Sequence, residues 1–155
     1  MQDPLSLSSV ADFHKTFKHP VLDEPTIPSA QRCRLRIDLL AEELKELEQA
    51  VAQNDIIEVA DALCDLQYVL SGAILEFGLG NRFKELFDEV QRSNMSKACK
   101  SVEEADATVA HYASQGVKSF YEREGDLFLV YREGDHKTLK SVNYSPANLE
   151  AILSR

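Results

Sequence analysis

Apolar side chains recur at helical spacing along the chain as far as Gly116. A first amphipathic helix is predicted from about Leu5 to Phe17, where apolar residues follow a spacing of three and four. Its apolar positions are Val10, Phe13 and Phe17. His19-Pro20 ends the helix, because the residue before a proline is disfavoured in the α region. A long, proline-bearing, extended connection follows, and its length indicates a binding lip or a wrap around a partner.

A long second helix is predicted from Ser29, its N-cap, to about Gln53. Its apolar residues share one face, and they are Ile37, Leu40, Leu44, Leu47 and Val51. Asn54-Asp55 interrupts the pattern. Asp55 is expected to cap the next helix, with Glu58 as its capping-box partner.

The third predicted helix runs from Ile56 to about Phe77 and ends at Gly78 or Gly80. It is apolar on most of its circumference, through Ile56, Val59, Leu63, Leu66, Val69, Leu70 and Ile74. A helix of this kind belongs in the middle of a bundle or at an oligomer interface.

Two further helices are predicted over about Asn81 to Lys97 and Val102 to Gln115. After Gly116 the pattern changes, because two runs rich in aromatic and β-branched residues flank Gly125-Asp126, a two-residue hairpin turn. A third short strand over Lys137 to Val142 is a further possibility, and the last predicted element is a helical turn. This turn begins at Ser145-Pro146, with Pro146 suited to the first helical position.

These elements predict an all-α protein, a bundle of about four to five helices with a small C-terminal β-hairpin. Residues 1–116 are predicted to form the helical domain, which contains the candidate site residues described below. Residues 117–155 are predicted to be an appendage of that domain, because about 40 residues bury too little apolar surface to stand alone.

Composition narrows the functional classes. The chain has 155 residues and a formal net charge of −9, and it carries no long basic run, so nucleic-acid binding is a poor first hypothesis. The three cysteines are odd in number and form no CxxC pair, which predicts reduced, mostly buried thiols in the cytoplasm. The N-terminus lacks the features of a signal peptide, and no run of about 18 apolar residues predicts a membrane span.

Acidic residues are paired at helical spacing on the second and third helices. Glu43 and Glu46 are three residues apart, as are Glu58 and Asp61, so each pair lies on one stripe of its helix. Asp65 extends the second stripe by one turn. Two adjacent helices could therefore direct four carboxylates at one point, which suits a hard divalent cation.

The alternative interpretation is a solvated helix face, which fits the glutamates of the second helix well. The third helix favours the metal site, because its acidic strip lies on a largely apolar helix without any Lys or Arg between Asn54 and Asn81. Clustered carboxylates on one strip repel one another, and burying them is costly unless they are paired or metal-bound.

Asn94 and Lys97 lie one turn apart at the end of the fourth helix, so an amide and an ammonium could face the same ligand. An ordinary polar helix terminus, with Lys97 favourable to the helix dipole, explains the same residues. Taken alone, the spacing favours the ordinary helix terminus.

Together these motifs resemble a known superfamily. Glu42-Glu43-x-x-Glu46 followed by Glu58-x-x-Asp61 is similar to the EExxE…ExxD signature of the all-α nucleoside triphosphate pyrophosphohydrolases, the MazG-like superfamily. This superfamily includes dimeric dUTPases, dCTP pyrophosphatases and phosphoribosyl-ATP pyrophosphohydrolases. Ser93 to Lys97 resembles its downstream Asn/Lys element, and the resemblance covers about Ala11 to Ala98.

The resemblance implies a homodimer or larger homo-oligomer that hydrolyses a (d)NTP to a (d)NMP and pyrophosphate with Mg²⁺, or with Mn²⁺ in its place. It implies metal ligands at Glu43, Glu46, Glu58 and Asp61. It implies substrate contacts at Asn94, Lys97 and, as a sugar or outer-shell group, Asp65. Glu46 is a candidate general base, and Lys97 would counter charge that develops on the phosphates.

Neither the nucleobase nor the biological role follows from these residues. A house-cleaning enzyme and a dUTP-selective enzyme both remain open, while phosphoribosyl-ATP fits less well because of the added linker and hairpin. The alternative from another class is a noncatalytic helical dimerisation or adaptor module whose acidic faces are only solvated.

Overall fold

The computed structural model of the chain describes residue 2 and residues 4–155. Its helices and strands, in chain order, are α1 (Ser6–Phe17), α2 (Ala30–Gln53), α3 (Ile56–Glu76), α4 (Phe83–Met95), α5 (Val102–Ser114), β1 (Ser119–Glu124), β2 (Leu127–Arg132) and α6 (Glu150–Leu153). The predicted all-α fold with a C-terminal hairpin is thereby confirmed.

The chain divides into two compact units, an N-terminal unit of residues 1–83 and a C-terminal unit of residues 84–155. Helices α4 and α5 are therefore grouped with the hairpin, whereas the sequence suggested a catalytic domain of residues 1–116. That assignment concerns where activity resides, and it stays a prediction.

In the N-terminal unit, α2 and α3 pack against each other and α1 packs on α3. Local capping chemistry sets where the two long helices begin. The Ser29 hydroxyl accepts from the Arg32 amide at 3.4 Å, as predicted for an N-cap. The Asp55 carboxylate accepts from the Ile57 and Glu58 amides at 3.0 and 3.3 Å. The predicted capping box is wrong, because the Asp55 amide donates to the Ala50 carbonyl and not to Glu58.

Gly78 ends α3, as predicted, with a φ of +67° that favours glycine. A Cβ at this position would lie 1.8 Å from the Glu24 carbonyl oxygen, so the extended proline segment approaches the helix end too closely for any side chain. The Leu22 amide donates to the Leu75 carbonyl at 3.0 Å. The Thr26 amide likewise donates to the Phe77 carbonyl at 3.0 Å. The extended segment is thus held along its own α3, and a wrap around a partner stays a prediction.

A buried polar cluster joins the three helices of this unit, which no apolar pattern indicated. Glu76 of α3 accepts hydrogen bonds from Arg32 and Arg36 of α2. Arg36 also lies 3.3 Å from His14 Nε2 of α1, and His14 Nδ1 lies 2.8 Å from the Pro20 carbonyl oxygen. Gly72 provides the room, since a Cβ there would lie 2.7 Å from the Arg36 guanidinium.

Each long helix carries a row of exposed apolar residues at regular spacing. On α2 the exposed row has a seven-residue spacing and consists of Ile37 (60% exposed), Leu44 (50%) and Val51 (61%). On α3 the corresponding row is Ile56 (76%), Leu63 (51%) and Leu70 (42%). The intervening residues Leu40, Leu47, Val59 and Leu66 are half-buried. The apolar surface that the sequence predicts for α3 is therefore only partly buried within the single chain.

The C-terminal unit surrounds a small core of Cys99, Ala105, Val130 and Leu139. Strands β1 and β2 pair antiparallel around Gly125-Asp126, which confirms the predicted hairpin. The predicted third strand over Lys137 to Val142 is wrong, because this segment forms only an isolated bridge between Tyr131 and Thr138.

Two predicted helix boundaries are corrected here. Helix α4 covers Phe83–Met95 and is shorter than the predicted span to Lys97, since the chain turns after Met95 and the Lys97 amide donates to the Asn94 carbonyl. The last helix begins at Glu150, so Pro146 precedes it and does not occupy its first position.

The cysteines are free thiols, as predicted, but only Cys99 is buried, whereas Cys64 is exposed. Within residue 2 and residues 4–155, no helix is both long and apolar enough to cross a bilayer.

Candidate active site

A cleft between α2 and α3 brings three of the predicted metal ligands together. Glu46 of α2 and Glu58 and Asp61 of α3 line it, and its volume is about 260 Å³. The remaining lining residues are Gln49, Ala50, Gln53 and Ala62. The side chains of all three acids are exposed, so the cleft is open to a solvent-borne ligand.

Glu43 lies one turn before Glu46 on α2 and is half-buried. This partial burial raises the pKa of the Glu43 carboxyl, and nearby negative charges raise it further. The carboxylates that contribute are, in decreasing order, Glu46, Asp65, Glu42 and Asp61. The electrostatic effect on Glu43 therefore links the acidic pair of α2 with the acidic strip of α3.

Within residue 2 and residues 4–155, these charges have no cationic partner. Among the described residues, none of Glu43, Glu46, Glu58, Asp61 and Asp65 takes part in an ion pair. Helix α3 carries neither Lys nor Arg. Like charges at one helical turn destabilise a helix, so this strip favours binding a cation from solution.

The donor set fits a hard divalent cation in its chemistry, since it consists of carboxylate oxygens with room for waters and phosphates. The side chains are not closed around a point: across residue 2 and residues 4–155, no three His, Cys, Asp or Glu side chains form a ready ligand cluster. Divalent cations of this class complete their coordination with water and substrate oxygens, so a partly open set is compatible with such a site.

Asn94 and Lys97, the predicted substrate contacts, lie next to each other in the C-terminal unit. Lys97 Nζ donates to Asn94 Oδ1 at 2.8 Å. The amide and the ammonium are therefore neighbours, and their role as contacts to one substrate stays a prediction.

A comparison with known proteins identifies the family. The family model of phosphoribosyl-ATP pyrophosphohydrolase matches residues 10–94, which is more than half of the chain. The chain belongs to this family. The family is part of the MazG-like superfamily of nucleoside triphosphate pyrophosphohydrolases, so the predicted resemblance is confirmed. Its members act on nucleotide-type substrates and generally depend on a divalent metal.

The matched range contains both acidic pairs and ends at Asn94, so Lys97 and the hairpin lie beyond it. The chain is also similar to an uncharacterized protein of Acanthamoeba polyphaga mimivirus, with 28% identity over 128 residues. That alignment covers 77% of this chain and 49% of the viral protein. The chain thus spans about half the length of this curated relative.

Proposed function

We propose that this protein is a Mg²⁺-dependent pyrophosphohydrolase that cleaves a (d)NTP to the (d)NMP and pyrophosphate. The observation that carries the proposal is the uncompensated carboxylate strip between α2 and α3, within the range that matches the family. The free thiols of the chain suit a reducing cytoplasm, which we propose as the place of action.

Glu43, Glu46, Glu58 and Asp61 would hold the metal, because the last three line the cleft and Glu43 lies within electrostatic reach of Glu46 and Asp61. When bound, Mg²⁺, or Mn²⁺ in its place, neutralises triphosphate charge and lowers the pKa of a water. Asp65, one turn beyond Asp61, would contact the sugar or the outer hydration shell.

Glu46 is the proposed general base. It would accept a proton from water while the water oxygen forms a bond to the α-phosphorus. The bond from the α-phosphorus to the bridging oxygen breaks, and its electron pair leaves with pyrophosphate. Asn94 and Lys97 would hold the phosphates, where the Lys97 ammonium offsets the charge that develops on the leaving group.

The substrate is the open part of the proposal. House-cleaning of noncanonical or excess dNTPs and selective hydrolysis of dUTP both fit these residues. The family match adds weight to phosphoribosyl-ATP, which the added linker and hairpin had disfavoured. All three substrates share an anhydride bond to an α-phosphorus, so one chemistry serves each of them.

A substrate panel with Mg²⁺ tests the proposal. Pyrophosphate release is measured with each dNTP, dUTP and phosphoribosyl-ATP, and then for Glu43→Gln and Asp61→Asn. We expect each variant to lose at least about 10- to 100-fold in kcat/KM, because altering even the groups that only orient a metal's ligands costs that much. Glu48→Gln, an exposed acid on the same helix, is the control and should retain activity. Full activity in both site variants would contradict the assignment of Glu43 and Asp61 as metal ligands.

We further propose that the protein is a homodimer or a larger homo-oligomer. The exposed rows on α2 and α3 support this, because each repeats every seven residues while the residues Leu40, Leu47, Val59 and Leu66 are half-buried in the single chain. A second copy of the same unit would offer matching rows and bury both.

The exposure of Glu46, Glu58 and Asp61 also favours a second candidate function, a noncatalytic dimerisation or adaptor module with solvated acidic faces. The same panel distinguishes the two functions. Failure to hydrolyse any nucleotide, together with a stable oligomer, is the result expected for the adaptor.

A further inference from the structure

Two serines flank the pair of proposed phosphate contacts. Ser93 precedes Asn94 and is buried, and its hydroxyl lies 2.9 Å from the Tyr144 hydroxyl. Ser96 precedes Lys97, and its hydroxyl accepts from the Ser145 amide at 3.0 Å while it donates to the Ser93 carbonyl at 2.7 Å. Both attachments therefore come from the segment that follows the hairpin.

The backbone of Lys97 is held by the same segment. Its carbonyl accepts from the Ser141 amide at 3.1 Å. The segment turns back on itself, because the Tyr144 amide donates to the Ser141 carbonyl at 2.9 Å. Residues 141–145, which we name the tail loop, thus contact this stretch at Ser93, at Ser96 and at Lys97.

The Tyr144 side chain has a second contact on its ring face. Lys140 Nζ lies 4.4 Å from the ring centroid, within the range of a cation–π interaction. The ring is therefore held by Lys140 while its hydroxyl is held by Ser93. Replacing only the hydroxyl removes the Ser93 contact and leaves the ring contact in place.

We infer that the tail loop positions Asn94 and Lys97 for phosphate binding, with Tyr144 as the principal positioning residue; the inference rests on the proposed function. Lys97 lies beyond the end of α4 at Met95, and on the α4 side its amide makes a single turn hydrogen bond, to the Asn94 carbonyl. Its ammonium must nevertheless be oriented before substrate arrives if binding is not to cost side-chain entropy. Asn94 Oδ1 accepts from the ammonium directly, and the tail loop fixes the backbone that carries both side chains through contacts about 50 residues away in the sequence.

Tyr144→Phe tests the inference. We expect KM for the best nucleotide to rise about 3- to 10-fold, the effect of losing roughly one net hydrogen bond. The kcat should change less than about twofold, because the phosphates are contacted in the ground state and in the transition state alike. Ser96→Ala, which removes the other attachment, should give the same pattern. Tyr121→Phe is the matched control, since its hydroxyl contacts Asp106 on α5, and it should leave KM unchanged.

A double-mutant cycle separates positioning from general stability. In a Lys97→Met background, Tyr144→Phe should raise KM less than about twofold further, because the group that it orients is already absent. Equal increments in both backgrounds, or an unchanged KM in Tyr144→Phe and Ser96→Ala, would overturn the inference while leaving the proposed activity intact. If the unaltered chain hydrolyses no nucleotide, the proposed function fails and the positioning role fails with it.

Discussion

Glu76 of α3 accepts a hydrogen bond from the guanidinium of Arg36 of α2, and both side chains lie in the interior of the N-terminal unit. The Glu76 side chain is only 1% exposed. Arg32, one turn before Arg36, donates to the same carboxylate. Desolvation opposes the ionised state, but the two guanidiniums outweigh it and hold the pKa of Glu76 below its ordinary value. One buried carboxylate thus joins two helices through two cations.

Removal of Glu76 should destabilise the fold strongly. In Glu76→Ala the buried Arg36 guanidinium keeps its charge without its partner, at a cost of about 3–5 kcal/mol in the free energy of unfolding. Urea denaturation followed by circular dichroism measures it. Glu48→Ala, at an exposed position of α2, should change the free energy by less than about 0.5 kcal/mol. A loss below about 1 kcal/mol in Glu76→Ala would mean that the cluster contributes little to stability.

We expect the free energy of unfolding to fall in mild acid because His14 becomes protonated. Burial lowers the pKa of His14, the neighbouring Arg36 and His19 lower it further, and the Pro20 carbonyl and Glu76 only partly oppose this. The folded state therefore holds the ring neutral where the unfolded state already binds a proton. The contribution of His14 to the free energy of unfolding is fully present above the unfolded pKa of about 6.5. It is lost as the pH falls from there towards the lowered pKa of the folded state.

Urea denaturation between pH 7.5 and 5.5 checks this expectation. His14→Gln should flatten the pH dependence, since an amide can still donate to the Pro20 carbonyl and accept from Arg36 without titrating. His111→Gln, at the exposed end of α5, should keep the dependence of the unaltered chain. The same slope in His14→Gln would assign the effect to another group.

The helices, their caps and the acidic strip could be predicted because each depends on residues a few positions apart. Asp55 caps α3 through amides two and three residues away, and the strip Glu58, Asp61 and Asp65 lies within one helix. The buried cluster could not be predicted, since Glu76 is 44 residues from Arg32 and its place near a helix end resembles an ordinary polar terminus. The exposure of Leu44 and Leu63 could not be predicted for a related reason. Periodicity identifies an apolar face, but it does not indicate which part of the protein covers that face.

A cation that binds at the acidic strip should be detectable, because its binding raises the stability of the folded chain. In metal-free buffer Glu43→Gln should stabilise the fold by about 0.2–0.5 kcal/mol for each like-charge pair that it relieves. Mg²⁺ should then raise the melting temperature of the unaltered chain more than that of Glu43→Gln, since the ligand stabilises only the state that binds it. Glu48→Gln should respond to Mg²⁺ like the unaltered chain. Equal Mg²⁺ responses in all three proteins would argue against a metal at the strip.

The exposed rows of α2 and α3 should control assembly. Sedimentation of the unaltered chain should give a dimer or a larger species, because a second copy would cover Leu44 and Leu63, which are 50% and 51% exposed in the single chain. Leu44→Ser combined with Leu63→Ser should favour the monomer, since each truncation removes about 1.5–3 kcal/mol of burial at the contact. Phe87→Ser, at an apolar position of α4 that is 62% exposed, should not change the assembly. A monomeric unaltered chain would remove the proposed oligomer, and a Phe87-dependent one would move the interface to the C-terminal unit.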